Sequence, residues 1–211
     1  MSRQEYVEVS ARAGVSRVLA RAGYEVLEVA LGVLALAASS KARFATPLSP
    51  VPFTLQTLVL LYIILVLRER AWRPVLSYIA LGLAGLPVFA YGGGPAYVFS
   101  PTFGYLVGLL LASYAGGRLA SGRVLTPRKL VLSSLVSTLV IYAAGYAYLT
   151  AWLAAVARTS LAAALVAGLV SGVLIFIPWD LLKALAAAGL VVATNKVRAR
   201  LLKELKERLS P

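Results

Sequence analysis

The sequence predicts an all-α integral membrane protein with six transmembrane helices and both termini in the cytoplasm. Composition is the first observation behind that prediction. Of the 211 residues, 60% are hydrophobic and only 14% charged, against about 25% charged in soluble domains. The second is segmentation: apolar runs of helical length alternate with hinges rich in Pro, Gly or Arg. The third is where the cations fall. Arg3, Arg12, Arg17 and Arg21 precede the first apolar run. Arg68, Arg70 and Arg73 share one hinge, Arg118, Arg123, Arg128 and Lys129 another, and Lys196, Arg198, Arg200, Lys203, Lys206 and Arg208 the tail. Only Lys41, Arg43 and Arg158 occupy the alternate loops, with Lys183 left inside an apolar stretch. This one-sided distribution is the positive-inside pattern. It accounts for the net charge of +13 without nucleic acid, which a basic soluble chain would imply.

The expected organisation is a cytoplasmic segment over 1–23, a six-span membrane domain over 24–195 in the plasma membrane, and a basic cytoplasmic tail over 196–211. Residues 1–23 mix Arg, Glu, Ser and Ala and read as a short interfacial helix or an unstructured segment. Val26 to Ser39 is span one. Its small residues Gly32, Ala35 and Ser39 lie on one helix side, a surface that lets another helix approach closely. That helix belongs either to a partner subunit or to this chain. Lys41 to Pro52 carries Pro47, Pro50 and Pro52 and cannot be a regular helix; it reads as an outside loop. Phe53 to Leu67 is span two, Arg68 to Arg73 a tight inside turn, and Pro74 to Leu86 span three.

Pro87 to Pro101 is a second outside loop with no charge, three successive glycines (Gly92, Gly93, Gly94) and four aromatics. Glycines permit unusual backbone angles and close approach of a ligand to amides. Aromatics at a membrane boundary otherwise form an interfacial belt. Thr102 to Leu119 is span four, and Leu130 to Thr150, with Tyr142, Tyr146 and Tyr148 toward its outer end, is span five. Residues 151–177 read as an element returning on the outer side, and 178–195 as span six. A seventh span would place the basic tail outside, against the charge pattern.

The most informative stretch is Ile177-Pro-Trp-Asp-Leu-Leu-Lys183. Asp180 is the only acid between Glu69 and Glu204, and Lys183 the only cation between Arg158 and Lys196. Ionised groups at such depth are costly and face an interior cavity or each other. With Pro178 in the first turn of a helix, Asp180 lies near the positive end of the helix dipole. Lys183, three residues on, points to the same side. The pair serves either as an internal lock or as the polar fixture of a ligand pocket. The absence of Cys and His disfavours zinc, haem, iron–sulfur and thiol or imidazole catalysis. No phosphate-binding Gly-Lys-Ser/Thr loop occurs, and no catalytic acid pair. Recognition suits these residues better than bond-breaking, so the chain is not expected to be an enzyme or to hold a metal or resident cofactor.

Four segments carry a resemblance. Pro50-Val-Pro-Phe-Thr-Leu-Gln-Thr57, Gly85-Leu-Pro-Val-Phe-Ala90 with the glycines after it, Ser100-Pro-Thr-Phe-Gly-Tyr105, and Ile177 to Lys183 resemble the BioY family, the biotin-binding S components of energy-coupling factor transporters. The resemblance runs from about Val26 to Leu190. It implies a six-helix S-component fold, capture of biotin from outside, and ATP-driven import by a transmembrane T component and two ATPase subunits. The family's usual Gly-Pro-Thr-Gly-Gly-Tyr is here Ser-Pro-Thr-Phe-Gly-Tyr, and its Pro-Gly-Asp is Pro-Trp-Asp. Phe103 and Trp179 are therefore expected to narrow the cavity or stack on ligand rings.

Against biotin, Asp180 is expected to accept from ureido N–H groups, and Lys183 to donate to the ureido oxygen or pair with the carboxylate tail. Thr54 and Gln56 would add polar contacts. Gly93 and Gly94 would form part of a lid, and Phe53, Tyr97, Phe103, Tyr105, Tyr146 and Trp179 the walls. The alternatives are an S component for another vitamin, an autonomous small-solute transporter, or a structural subunit in which the ion pair only locks packing. Lys183→Ala is expected to abolish tight biotin binding while leaving the protein folded. Wild-type affinity in that variant, measured by titration of the purified protein, would refute the assignment.

Overall fold

A computed structural model describes residues 3–122 and 124–209. Its helices are α1 (Arg3–Lys41), α2 (Gln56–Leu67), α3 (Trp72–Leu83), α4 (Phe103–Leu119), α5 (Pro127–Ala155), α6 (Leu161–Leu169) and α7 (Ile177–Leu209). Strands β1 (Arg43–Thr46) and β2 (Ser49–Thr54) form an antiparallel hairpin between α1 and α2. Among the described residues, Ser16–Lys41, Pro127–Ala155 and Leu161–Leu205 are long and apolar enough to cross a membrane by themselves. At 12, 12 and 17 residues, α2, α3 and α4 fall short of the roughly 20 needed for a lone bilayer helix.

Several expectations change. The 39-residue α1 runs unbroken through the expected boundary at 23, because nothing between Arg3 and Ser39 interrupts a helix: no Pro, and Gly only at 14, 23 and 32. The loop expected over 41–52 is a hairpin pairing Phe44 with Phe53 and Thr46 with Ser49. Pro50 and Pro52, two residues apart, put their missing N–H groups on one edge of the strand, where proline is tolerated. The separate returning element over 151–177 is absent. Helix α5 extends to Ala155, and α6 feeds through a π-helical turn, Val170–Leu174, into α7. Helix α7 in turn continues through residue 195 to Leu209.

The main core lies among α1 to α5, centred on the fully buried Leu36, Leu60, Ile64, Val75, Tyr78 and Phe89. Helices α4 and α5 share the most extensive packing of any pair of described elements. A stripe of Gly104, Gly108, Ala112 and Gly116, spaced by four, faces α5, and small residues at this spacing let helix backbones approach. A Cβ at Gly108 would sit 3.0 Å from the Cα and carbonyl oxygen of Ile141. Close approach also lets Ser133 Oγ donate to the Gly116 carbonyl at 2.9 Å.

The small-residue side of α1 points mainly inward. Gly32 and Ser39 are buried and Ala35 is exposed; Gly32 packs on Pro74 of α3. Of the two occupants considered for that side, α3 of this chain takes Gly32. At the other end of the bundle, Glu28 pairs with Arg70 at 2.9 Å and Glu25 with Arg73 at 3.2 Å, tying α1 to the α2–α3 turn. Gly108→Leu is expected to destabilise the protein by about 1–3 kcal/mol, read as a lower unfolding midpoint in detergent. Val107→Leu, on the exposed side of α4, should leave the midpoint near wild type.

Candidate ligand-binding site

The break between α6 and α7 builds the site. Pro178 has no N–H, so a helix tolerates it only in its first turn, and α7 begins one residue earlier at Ile177. Asp180 therefore enters on the first turn of α7, with its backbone N–H donating to the Phe176 carbonyl at 2.9 Å. The residue is 5% exposed, which in apolar surroundings requires partners for the charge. Lys183 Nζ donates to Oδ1 at 2.7 Å and the Tyr142 hydroxyl to Oδ2 at 2.7 Å. Tyr142 lies near the midpoint of the 29-residue α5. The ion pair thus lies level with the middle of α5.

Asp180 and Lys183 line a cavity of about 70 Å³ whose remaining walls come from every nearby element. Strand β2 contributes Val51, Pro52 and Thr54, and the start of α2 contributes Gln56 and Thr57. Loop 87–101 adds Ala90 and Tyr97, the start of α4 Thr102, Tyr105, Leu106 and Leu109, and α5 Ile141 and Tyr142. Phe176 closes the end beside α7. Two chains of hydrogen bonds orient the polar members. Tyr78 Oη donates to the Val88 carbonyl at 3.1 Å, so it accepts from Gln56 Nε2 at 3.0 Å. That directs one N–H of the Gln56 amide to Tyr78 and leaves its second N–H and Oε1 for further pairing. Thr102 Oγ1 donates to Tyr97 Oη at 3.0 Å, leaving the tyrosine's own proton available. Tyr105 Oη donates to the Gly172 carbonyl at 2.7 Å, pinning α4 to the π-helical turn.

Of the residues singled out from sequence, Asp180, Lys183, Thr54, Gln56, Tyr97 and Tyr105 meet at this cavity. The others do not line it. Phe53 lies behind the wall, its ring 4.5 Å from that of Phe176 and 6.3 Å from that of Trp179. Trp179 is 55% exposed, and Phe103 packs edge-on against Tyr148 at 5.8 Å. Neither narrows the cavity: consecutive helical positions diverge by about 100°, so Trp179 faces away from Asp180. Tyr146 donates to the Leu165 carbonyl at 3.4 Å, holding α5 to α6. Gly93 and Gly94 shape the loop instead. A Cβ at Gly93 would strike the carbonyls of Leu86 and Gly82, and Gly94 has φ +102° and donates to the Gly82 carbonyl at 2.7 Å.

Tyr142, Thr102 and Phe176 were not singled out. Tyr142 and Tyr146 are one helical turn apart, so periodicity places them on one side of α5 without ranking them. Above the cavity, three consecutive carbonyls of loop 87–101 are held from the α1–β1 junction. Ser40 Oγ donates to Val88 O at 2.6 Å, Lys41 Nζ to Phe89 O at 2.6 Å, and Arg43 to Ala90 O. On the opposite side Ser49 Oγ donates to the Ser171 carbonyl at 2.7 Å. The result is a roofed, mostly apolar hollow with acceptors at Asp180 and Gln56 and donors at Lys183 and Tyr97. That is the composition of a recognition pocket.

Residues 13–200 match the BioY family. The chain belongs to the BioY family. It is 36% identical over 163 residues to the probable biotin transporter BioY of Pyrococcus horikoshii, covering 76% of this chain and 91% of that protein. It is 42% identical over 106 residues to the probable biotin transporter BioY of Lysinibacillus sphaericus, covering 49% of this chain but only 54% of that one. Among solved structures it resembles the S-component for biotin of an ECF-type ABC transporter, with TM-score 0.61 and 21% identity over 93% of this chain and 95% of the other. The likeness gives the fold: this BioY chain has the architecture of an S component. BioY proteins are integral membrane proteins, and the three long apolar helices conform to that. Tyr105→Phe in this BioY chain should leave the cavity wall in place but remove a buried hydrogen bond to the helix break. The expected loss of stability is about 1–3 kcal/mol, seen as a lower unfolding midpoint in detergent; a wild-type midpoint would contradict it.

Proposed function

We propose that this BioY chain is the substrate-binding subunit of a vitamin uptake transporter. It captures biotin at the extracytoplasmic face for import driven by a transmembrane T component and two ATPase subunits. The observation that carries this reading is the pairing of Asp180–Lys183 with the oriented Gln56 amide inside one apolar, roofed cavity. A cyclic urea presents two N–H donors and one carbonyl acceptor, and a valeric tail adds a carboxylate. The free lone pairs of Asp180 and Gln56 Oε1 suit the donors, while Lys183 and Tyr97 suit the acceptors. Hydrogen bonds to charged groups contribute roughly 1.5–3 kcal/mol each, so a few of them account for tight capture of a small neutral ring. The names of the relatives support the choice of vitamin.

In this reading the six membrane passages are α1, α2, α3, α4, α5 and the broken α6–α7, with both termini cytoplasmic. The clustering of cations at the α2–α3 and α4–α5 turns and in the tail supports that orientation. No resident cofactor takes part, and ATP is used by the partner subunits. The hollow of about 70 Å³ is below the roughly 300–1,000 Å³ of small-molecule pockets, so its walls part as biotin enters.

A binding panel of biotin, riboflavin and thiamin on the purified protein tests the reading. Saturable binding of biotin alone is expected, weakened about tenfold or more by Asp180→Asn. In vesicles, biotin should accumulate only when the T component, the ATPases and ATP are also present. Preference for another vitamin, or uptake by this chain alone, would sink the proposal.

A further inference from the structure

Tyr142 stands at a boundary between two spaces. On one side is the polar cavity; on the other is an apolar groove of about 460 Å³ between α5 and α6–α7, walled by residues such as Leu139, Tyr146, Val173, Ile177 and Leu181. Tyr142 and Asp180 line both. Helix α7 packs mainly on α2 and only sparingly on α5, and the hydrogen bond from Tyr142 to Asp180 is a direct polar tie across that gap. An exposed carboxylate edge on the groove side would be costly in hydrocarbon, and the tyrosine covers it.

We propose that Tyr142 is a positioning residue for ligand recognition, holding the Asp180 carboxylate in the one orientation that presents free lone pairs to the cavity. The proposal rests on the biotin reading above for its ligand, but not for its geometry. A carboxylate has about four acceptor sites. Lys183 takes one on Oδ1 and Tyr142 one on Oδ2, each at 2.7 Å, which leaves one on each oxygen for the N–H groups of a cyclic urea. Without the phenol, rotation about the last side-chain torsion brings both oxygens toward Lys183, because such sp³–sp² torsions are broad. The ion pair then closes on itself, and the acceptor edge turns from the ligand. Lys183 cannot replace this role, since it sits three residues along the same helix and constrains one oxygen only.

The sequence supplies a clean probe. Asp180 is the only aspartate in the chain, so aspartate labelled with ¹³C at the side-chain carboxyl gives one isotope-shifted carboxylate stretch in the infrared. In ligand-free protein, Tyr142→Phe is expected to shift that band, and Asp180→Asn to remove it. Biotin affinity should fall about tenfold or more in Tyr142→Phe, while gel-filtration behaviour stays close to wild type; the unfolding midpoint falls, as for Tyr105→Phe, because a buried oxygen loses its donor. The preference for biotin over an N-methylated ureido analogue should shrink in the same variant, an effect that a structural role alone does not produce. In the Asp180→Asn background, Tyr142→Phe should change neither quantity further. An unshifted band overturns the proposal, and so does a shifted band with wild-type biotin affinity and analogue preference. If the wild-type protein binds no biotin, the functional reading fails instead, and the band alone decides whether Tyr142 positions Asp180.

Discussion

One ionised carboxylate in apolar surroundings constrains the rest of this molecule. Lys183 pairs with one oxygen of Asp180 and Tyr142 donates to the other. A buried pair missing either partner is costly, so three side chains from two helices must keep their relative places. Pro178 starts α7 where Asp180 meets the helix dipole, the π-helical turn absorbs the change of path before it, and Tyr105 bonds to the Gly172 carbonyl within that turn. The charge, the helix break and the cavity are one structural unit.

That unit depends on how closely α4 approaches α5. The stripe of Gly104, Gly108, Ala112 and Gly116 lets the two backbones come together, which sets Tyr105 on α4 beside Tyr142 on α5. The same tactic recurs at Gly145, where a Cβ would overlap the Tyr105 ring. Over the cavity, the glycines of loop 87–101 act through the backbone. They permit the turn that brings Val88, Phe89 and Ala90 carbonyls within reach of Ser40, Lys41 and Arg43. The roof is therefore fixed by main-chain acceptors and the floor by side chains.

Legibility followed chemistry rather than position. Asp180 and Lys183 stood out because charge is rare in an apolar run, and Gln56 because it is a polar residue in the Pro50–Thr57 segment that carries the resemblance. The aromatics were harder. Phe53, Phe103 and Trp179 each adjoin a cavity member in sequence yet face elsewhere, since one step along a helix or strand turns a side chain away. Tyr142 and Tyr146 share a helix side, and only the depth at which α6–α7 breaks separates them. The stripe on α4 follows the four-residue rule that drew attention to α1 at Gly32, Ala35 and Ser39. Two of those three α1 residues are buried.

What the sequence by itself determined is the solvent and the site chemistry. Apolar runs demand a bilayer, and an isolated acid and base three residues apart on a proline-started helix demand a protected interior. Both follow from local composition and spacing, which need no knowledge of neighbours. The tertiary structure alone decided the path of residues 151–177, the hairpin over 43–54, and which aromatics reach the cavity. Those outcomes depend on contacts between residues far apart in sequence, Tyr142 with Asp180 and Tyr105 with Gly172 above all, and no pattern within a single segment encodes them.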